Sequence, residues 1–369
     1  MKKTILIDLR WIKSKTFDGI ARESFEVTKR LVLDKTNNFL LLYFNADIKN
    51  WLDNLLTINT LPNVKWHKIS FNIASLKDIM FLPFVIKKLK VDIYYTFNFI
   101  TSFFHFRSYK TIITVNDLIP FLFKKSFLKR NIKWFFFTIF PFSTKYIFLK
   151  SHLIISISNS TKNDLIRLFK VEEEKIKVIY LGFTTKNINN IKPAFELPKK
   201  YLLYVGRKDF YKNLDRLIKA YSDLDENFKR DYSLIIAGKS SKSDIDLKKM
   251  IPKNEKIHLI NDLHDNELAY LYKNASCFIY PSLYEGFGLP ILEAMSYQIP
   301  IVTSNVSSIP EVANDAAIFV DPLNLEDMKI KIQNLLNDDT LKEKIIENGK
   351  IQLKKFSWDK TANEILKLF

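Results

Sequence analysis

Both halves of the chain alternate short apolar runs of strand type with segments of helical periodicity. A strand followed by a helix and then another strand builds a parallel sheet that is covered by helices on both faces. The pattern therefore predicts an α/β protein with two doubly wound parallel sheets. The predicted strands are Thr4–Asp8, Phe39–Tyr43, Val91–Tyr95, Thr111–Val115, His152–Ser156 and Ile176–Tyr180, then Tyr201–Val205, Ser233–Ala237, Lys256–Ile260, Ser276–Tyr280, Pro300–Thr303 and Ala317–Val320.

Chain length also favours two domains, because 369 residues exceed the size at which one hydrophobic core usually keeps growing. Residues 183–199 are rich in Thr, Lys and Asn and show no strong period, so they are predicted to be a linker. This places an amino-terminal domain at residues 1–182 and a carboxy-terminal domain at residues 200–355. Ligands of such folds bind outside the carboxyl ends of the strands, so two facing sheets would hold a ligand in the cleft between them.

One stretch combines a glycine turn with two carboxylates. Glu285 and Glu293 bracket a Gly-Phe-Gly-Leu-Pro sequence, although the whole chain has only 7 glycines. The turn follows a predicted strand, and Pro290 suits the first turn of a helix. Backbone amides in such a turn approach an anion closely, and the helix start adds a positive dipole end. This segment alone fits either a phosphate site with hydroxyl-binding glutamates or a tight turn with solvated glutamates.

A second anion-binding feature follows the strand that ends at Val205. Gly206 and Arg207 open a turn that continues to Lys212 at the start of a predicted helix. Two cations around such a turn suit a diphosphate, although two solvated surface cations are the alternative.

The sequences 223–225 and 244–246 imitate an Asp-x-Asp metal motif, but they lie in polar helix-edge segments and are interpreted as solvated. No metal site is predicted.

The net charge of +17 is concentrated in the first half of the chain. Residues 1–200 hold 34 Lys and Arg against 15 Asp and Glu, whereas residues 201–369 hold 23 against 25. A basic half can attract an anionic membrane, an acidic substrate or nucleic acid. Residues 121–137 interleave cations with large apolar side chains, which fits a helix on a membrane surface or a buried helix with lysines at its rim. Nucleic acid is not expected as a partner, because no nucleic-acid-binding motif accompanies the charge.

Targeting signals are not evident in the sequence. The apolar run within residues 1–8 is too short for a signal peptide, and the uncharged stretch of residues 93–106 is too short for a membrane span. We therefore expect a cytoplasmic protein that is peripheral on the inner face of the plasma membrane. Cys277 lies in the middle of a predicted strand, which indicates core packing rather than a metal or nucleophile role.

Taken with their order along the chain, these motifs resemble the retaining, nucleotide-sugar-dependent glycosyltransferases of family 4, the glycosyl transferases group 1. Their GT-B architecture has two Rossmann-like domains that face each other across a cleft, with a last helix that crosses back, here residues 356–369. The resemblance covers nearly the whole chain. It is strongest at Tyr204–Arg207, Lys212–Leu214, Glu285–Met295 and Ser307–Val312, and looser at Ile7–Trp11, Gly19–Arg22 and Val115–Pro120.

The resemblance implies a role for each matching residue. Asn116 stands where many relatives have a histidine, beside Asp117. The implied roles are catalysis for Glu285, Asp117 and Asn116, donor diphosphate binding for Arg207, Lys212 and Gly19, and sugar or nucleotide binding for Glu293, Gly206, Gly286, Phe287, Gly288 and Leu289.

The implied reaction is retaining transfer of a sugar from a nucleoside-diphosphate sugar to a lipid-linked or polysaccharide acceptor. The mannosyltransferase-like start of the chain favours GDP-mannose as donor, with a UDP-sugar next, in cell-surface polysaccharide or lipopolysaccharide synthesis. No metal cofactor is expected, because fixed cations and a helix start can stabilise the leaving diphosphate. Two alternatives remain at this point: a GT-B sugar-nucleotide epimerase, and a basic membrane- or nucleic-acid-binding module with a vestigial nucleotide fold.

Overall fold

A computed structural model describes residues 2–15, 19–57, 61–73, 75–102, 106–123, 133–185, 191–241 and 243–369, with only the backbone of residues 133–139. The chain divides into two compact units. The first comprises residues 1–182 with residues 356–369, and the second comprises residues 183–355. The segment predicted to be a linker falls in the second unit.

The first unit contains a parallel sheet with the strand order β3-β2-β1-β4-β5-β6-β7 in the described residues. The sequence pattern missed β3, because its side chains are mostly polar and only its first residue is buried at this edge of the sheet. The central strands are buried, as expected for a sheet covered on both faces. The strands are β1 Thr4–Asp8, β2 Asn38–Tyr43, β3 Val64–Lys68, β4 Ile93–Thr96, β5 Lys110–Val115, β6 Leu153–Ser156 and β7 Ile176–Val178.

Helices connect these strands. Ser75 and Ser158 each cap a helix by accepting a hydrogen bond from a backbone N–H of its first turn. The helices of this part are α1 Gly19–Leu31, α2 Ala46–Leu56, α3 Leu76–Lys88, α4 Ile119–Leu122, α5 Lys133–Lys150 and α6 Asn159–Phe169.

The second unit contains a parallel sheet with the order β10-β9-β8-β11-β12-β13. Every residue of its strand β8 is buried. Its strands are β8 Tyr201–Val205, β9 Ser233–Gly238, β10 Ile257–Asn261, β11 Cys277–Tyr280, β12 Ile301–Ser304 and β13 Ile318–Val320. Its helices are α7 Leu214–Ser222, α8 Glu226–Asp231, α9 Ser243–Met250, α10 Asp265–Asn274, α11 Leu289–Ser296, α12 Ile309–Ala313, α13 Leu325–Asn337 and α14 Asp339–Leu353.

The last helix, α15 (Trp358–Leu366), packs against α1 of the first unit. The Thr361 hydroxyl donates to the carbonyl of Tyr180 at 2.7 Å. A Cβ atom on Gly182 would lie 2.1 Å from the backbone nitrogen of Trp358, so only glycine allows this close approach. These contacts attach residues 356–369 to the first unit.

Both sheets contain a point at which the strand order reverses. In the first sheet this point lies between β1 and β4, and in the second it lies between β8 and β11. Ligands of doubly wound sheets bind at such switch points, outside the carboxyl ends of the strands. The loops that follow β8 and β11 are therefore candidate ligand-binding loops.

Candidate active site

The loops after β8 and β11 are tied together at the switch point of the second sheet. After β8 the chain forms a short 3₁₀ turn, Phe210–Lys212, and Asn213 adopts a left-handed conformation with φ of 62° before α7 begins. The Asn213 side-chain amide donates to the carbonyl of Pro281 at 3.0 Å and to that of Pro322 at 2.7 Å. Asn213 thereby fixes where the preceding Lys212 points.

Lys212 and Glu285 form a buried ion pair at this point. The Lys212 Nζ atom lies 2.6 Å from Glu285 Oε1 and 3.0 Å from the hydroxyl of Tyr280 at the end of β11. Burial, followed by the charge of Glu285, raises the pKa of Tyr280 well above its ordinary value, so this hydroxyl stays protonated. The structure thus brings together two predicted site residues that are 73 positions apart in the sequence.

The backbone around Glu285 is held by the loop after β12. Glu285 N–H donates to the Ser307 hydroxyl at 2.9 Å, and the Ser308 hydroxyl contacts the carbonyls of Glu285 and Phe287 at 2.9 and 3.0 Å. These bonds leave little freedom for the turn. Rigid support of this kind suits a residue that must keep its position against a ligand.

The predicted glycine turn leads into α11. Gly288 precedes the helix with φ of 110°, a conformation that disfavours any side chain, and Pro290 occupies the first turn as predicted. Glu293 lies in α11, half-buried, and accepts a hydrogen bond from the Tyr272 hydroxyl at 3.0 Å. The Tyr272 ring stacks on Tyr297 with centroids 5.3 Å apart. Glu293 is thus oriented by an aromatic pair, and its contact is separate from that of Glu285.

The two predicted diphosphate cations have different environments. Lys212 is buried, so the alternative of a solvated surface cation is wrong for it. The Arg207 side chain is 76% exposed and its Nε atom lies 2.8 Å from Asp209. Arg207 is therefore an exposed cation that is paired with Asp209, whereas Lys212 is a buried cation that is held by Glu285 and Tyr280.

Sequence reasoning missed a second buried lysine in the same loop as Lys212. Lys208 is buried and its Nζ atom lies 3.0 Å from Asp244, with Asn261 as a further partner. The interpretation of Asp244 as a solvated residue is wrong, because this carboxylate is buried and accepts from Lys208 and from Ser241. Hydrogen bonds from Lys208 and Ser241 outweigh burial and lower the pKa of Asp244. The pair joins the ends of β8, β9 and β10 and braces the loop that carries Lys212.

Gly206, Gly286 and Phe287 lie in the same two loops of the second unit, and Leu289 begins α11. The predicted site residues Gly19, Asn116 and Asp117 lie in the first unit. Gly19 begins α1, and a Cβ atom there would meet nothing within 4 Å. Asn116 and Asp117 follow the carboxyl end of β5. The Asp117 carboxylate accepts the backbone N–H of Ile119 at 3.0 Å, which gives this residue a local structural role at the start of α4.

Asn116 contacts a carboxyl group that the sequence analysis did not select. Its side-chain amide donates to Glu23 Oε2 at 2.5 Å, and Glu23 in α1 is only 1% exposed. The spacing of Glu23 from the apolar residues Ile20 and Val27 was a usable signal, because it places the carboxyl group on the buried side of α1. Burial raises the pKa of Glu23 to about 8, so the group is neutral at pH 7.

This raised pKa predicts a pH-dependent stability. The folded state keeps a proton on Glu23 between pH 4.5 and about 8 that the unfolded chain releases, so the free energy of unfolding should fall as pH rises through this window. The expected slope is about 1.4 kcal/mol per pH unit. Urea unfolding should give a pH dependence that is more negative by this amount in the wild type than in Glu23→Gln, because the other titrating groups are common to both proteins. Equal slopes in both proteins would contradict the assignment.

The described part of the chain contains no group of three or more His, Cys, Asp or Glu side chains that could hold a metal ion. None of its helices has the length and apolar character needed to cross a bilayer. Of the predicted membrane segment 121–137, Phe121 is buried in the core and residues 124–132 lie outside the described residues. Cys277 is buried, which fits its predicted role in the core.

Comparison with known proteins gives concordant matches. Residues 185–352 match the family described as Glycosyl transferases group 1, and residues 49–187 match Glycosyltransferase Family 4. O-antigen chain mannosyltransferase B of Escherichia coli is 34% identical over 229 residues, which are 59% of this chain and 60% of that protein. O-antigen chain mannosyltransferase RfbU of Salmonella typhimurium is 26% identical over 79% of this chain and 76% of that protein.

Solved structures support the fold. Sucrose-phosphate synthase from Thermosynechococcus elongatus matches with a TM-score of 0.74 and 16% identity, over 100% of this chain and 98% of that one. The predicted fold class, α/β with the two parallel sheets of the GT-B type, is confirmed. Because the two family matches together span residues 49–352, the chain belongs to glycosyltransferase family 4, the glycosyl transferases group 1.

Proposed function

We propose that the protein is a retaining glycosyltransferase that moves a sugar from a nucleoside-diphosphate sugar to a lipid-linked or polysaccharide acceptor. Mannose from GDP-mannose is the preferred donor, with a UDP-sugar as the next choice. The support for mannose is that both relatives described above are mannosyltransferases of O-antigen chains. A lipid-linked acceptor would bring the reaction to the inner face of the plasma membrane.

The buried pair of Lys212 and Glu285 is the observation that carries this proposal. An ammonium group has three N–H donors, and in the described structure Glu285 and Tyr280 take two of them. The third suits a phosphate oxygen of the donor. Lys212 can then bridge the diphosphate and Glu285, which keeps the carboxylate beside the sugar that is attached to that diphosphate.

Departure of the nucleoside diphosphate leaves negative charge on the oxygen that loses the sugar. Fixed positive groups lower this barrier most, because they need no reorganisation during the reaction. Lys212 supplies a full charge, and the start of α11 supplies backbone N–H groups and a positive dipole end. The exposed side chain of Arg207 pairs with Asp209, and in this proposal it turns from that carboxylate toward the bound diphosphate. In this retaining mechanism the leaving phosphate takes the proton of the acceptor hydroxyl.

Glu293 completes the donor site in this proposal. Its carboxylate would accept hydrogen bonds from the ribose hydroxyls, and Tyr272 holds it in place for that contact. Ribose hydroxyls do not change their charge during transfer. Glu293 should therefore contribute to donor binding and not to the chemical step.

Donor binding is the direct test of the proposal. GDP or UDP should raise the melting temperature of the wild type, and Arg207→Ala and Lys212→Ala should each reduce that rise. A screen of nucleotide sugars for hydrolysis or transfer then identifies the sugar, with GDP-mannose expected to react. Unchanged nucleotide binding in both variants would rule out the diphosphate site.

Loss of activity with a metal chelator would contradict the proposed metal-free mechanism.

A further inference from the structure

Large apolar side chains are exposed along one side of α3. Leu76 is 79% exposed and Phe84 is 58% exposed, and Met80 and Phe81 lie exposed between them. The opposite side of the helix packs into the core of the first unit through Leu82 and Ile86. The exposed lysines of the same helix are Lys77, Lys87 and Lys88. α3 therefore presents an apolar stripe with basic residues toward solvent.

Helix α5 shows the same arrangement over its described side chains. Phe142 is 78% exposed, and Tyr146 and Leu149 follow at helical spacing on the same side. Lys145 and Lys150 are exposed beside them. A second helix of the first unit thus carries exposed aromatic, aliphatic and basic side chains together.

The strand register relates these two helices. Paired residues of a parallel ladder point to the same face of the sheet, and so do residues two apart on one strand. Tyr94 on β4 pairs with Thr111 on β5, so Tyr94 and Ile113 share a face. α3 packs in the core cluster that contains Tyr94, and α5 packs in the cluster that contains Ile113.

Both helices consequently cover the same face of the first sheet. Their buried sides contact that face, so their exposed sides point away from it in the same general direction. We call this surface the docking face, and its apolar members are Leu76, Met80, Phe81, Phe84, Phe142, Tyr146 and Leu149.

The charged residues on the two helices of the docking face are nearly all positive. Residues 75–90 and 133–150 contain seven lysines and one acidic residue, Asp78. Asp78 is buried and lies 2.7 Å from Arg10, so it adds no negative charge to the surface. None of the lysines at positions 77, 88 and 145 forms an ion pair with another described residue. The exposed charged residues of α3 itself, and those among the described side chains of α5, are therefore all positive. Exposed glutamates lie beyond the carboxyl end of α5, where Lys175 of the turn Glu173–Lys175 donates to the carbonyl of Leu149.

We propose that the docking face binds the surface of an anionic lipid bilayer. Exposed Leu, Met and Phe side chains insert among lipid headgroups, while lysines contact the lipid phosphates. A second copy of the same face would oppose lysines with lysines, which disfavours a symmetric dimer. The inference rests on the proposed function for its purpose, because a lipid-linked acceptor would lie in that bilayer.

Vesicle binding tests the proposal with the full chain. The wild type should sediment with vesicles of phosphatidylcholine and phosphatidylglycerol, and weakly with phosphatidylcholine alone. The triple variant Lys77→Gln, Lys87→Gln, Lys88→Gln should lose about a hundredfold in partitioning, since each lysine near an anionic surface contributes about fivefold. The double variant Leu76→Ser, Phe142→Ser should lose about tenfold or more, because these side chains no longer enter the bilayer.

Matched variants in the second unit serve as controls. Lys219→Gln, Lys248→Gln, Lys253→Gln changes the net charge equally, and Leu323→Ser, Ile351→Ser removes two apolar side chains that are also exposed. Both controls should bind vesicles as the wild type does. Equal losses in test and control variants would overturn the docking face, and so would a dimer in solution that the docking-face variants abolish.

Nucleotide binding separates this inference from the proposed function. The docking-face variants should keep the melting-temperature rise with nucleoside diphosphate, because the docking face belongs to the first unit, whereas Lys212, Glu285 and Glu293 belong to the second. Vesicle binding without any nucleotide response would disprove the proposed donor site and leave the docking face intact. Nucleotide response without vesicle binding would have the opposite meaning.

Discussion

Replacing Lys212 with alanine is expected to lower the free energy of unfolding by about 3 kcal/mol, because it leaves the Glu285 carboxylate buried without its cation. The double variant Lys212→Ala, Glu285→Ala should recover part of this loss, since it removes the unpaired charge as well. Urea unfolding of the two single variants and the double variant gives the coupling energy directly. Lys219→Ala is the control, because Lys219 is an exposed lysine in α7, the helix that follows Lys212.

The same substitution should lower turnover by about 10²- to 10³-fold, the usual cost of removing one fixed group that stabilises a leaving charge. Arg207→Ala should cost less in stability, because its side chain is exposed and its removal leaves no buried charge. If Lys212→Ala and Glu285→Ala destabilise the protein additively in the double variant, the two side chains do not act as a pair.

Substitutions of Glu285 and Glu293, which bracket the glycine turn, should cause different catalytic and binding defects. Glu285→Gln is expected to lower turnover by about 10²- to 10³-fold with little change in nucleoside diphosphate affinity, because in the proposed site its carboxylate contacts the transferred sugar and not the nucleotide. Glu293→Gln is expected to weaken nucleoside diphosphate binding by about tenfold or more, the cost of losing a charged hydrogen-bond acceptor. Calorimetric titration and initial-rate kinetics measure the two effects separately.

Tyr272→Phe serves as a milder companion to Glu293→Gln. It keeps the ring that stacks on Tyr297 and removes only the hydroxyl that donates to Glu293, so affinity should fall by a few-fold. Turnover at saturating donor should stay near the wild-type value. The same defect in Glu285→Gln and Glu293→Gln would contradict the division of roles.

The sequence predicted the glycine turn well because its cause is local. Gly288 has a positive φ, which favours glycine, and Pro290 lacks the backbone N–H that would be unpaired in the first turn of a helix. Both preferences depend only on the backbone within a few residues. The strand type and helix start on either side were likewise local signals. Strand β3 was missed because its residues are polar and partly exposed, and burial patterning is the signal that identifies a strand.

Contacts between distant residues could not be predicted in the same way. The pairing of Lys212 with Glu285 depends on two loops that meet only because β8 and β11 are neighbours in the sheet. The burial of Asp244 depends on Lys208 in another loop, and that contact turned an apparently solvated carboxylate into a structural one. Helical spacing could have identified the buried position of Glu23, but its partner Asn116 lies 93 residues away.

The return of residues 356–369 to the first unit has a consequence for the order of folding during synthesis. The second unit is one continuous segment, residues 183–355, and it can fold as soon as that segment has left the ribosome. The first unit is synthesised earlier but lacks α15 until those later residues emerge, so α1 keeps an uncovered surface throughout synthesis of the second unit. Although its strands are made first, the amino-terminal unit is thus the last to complete its fold.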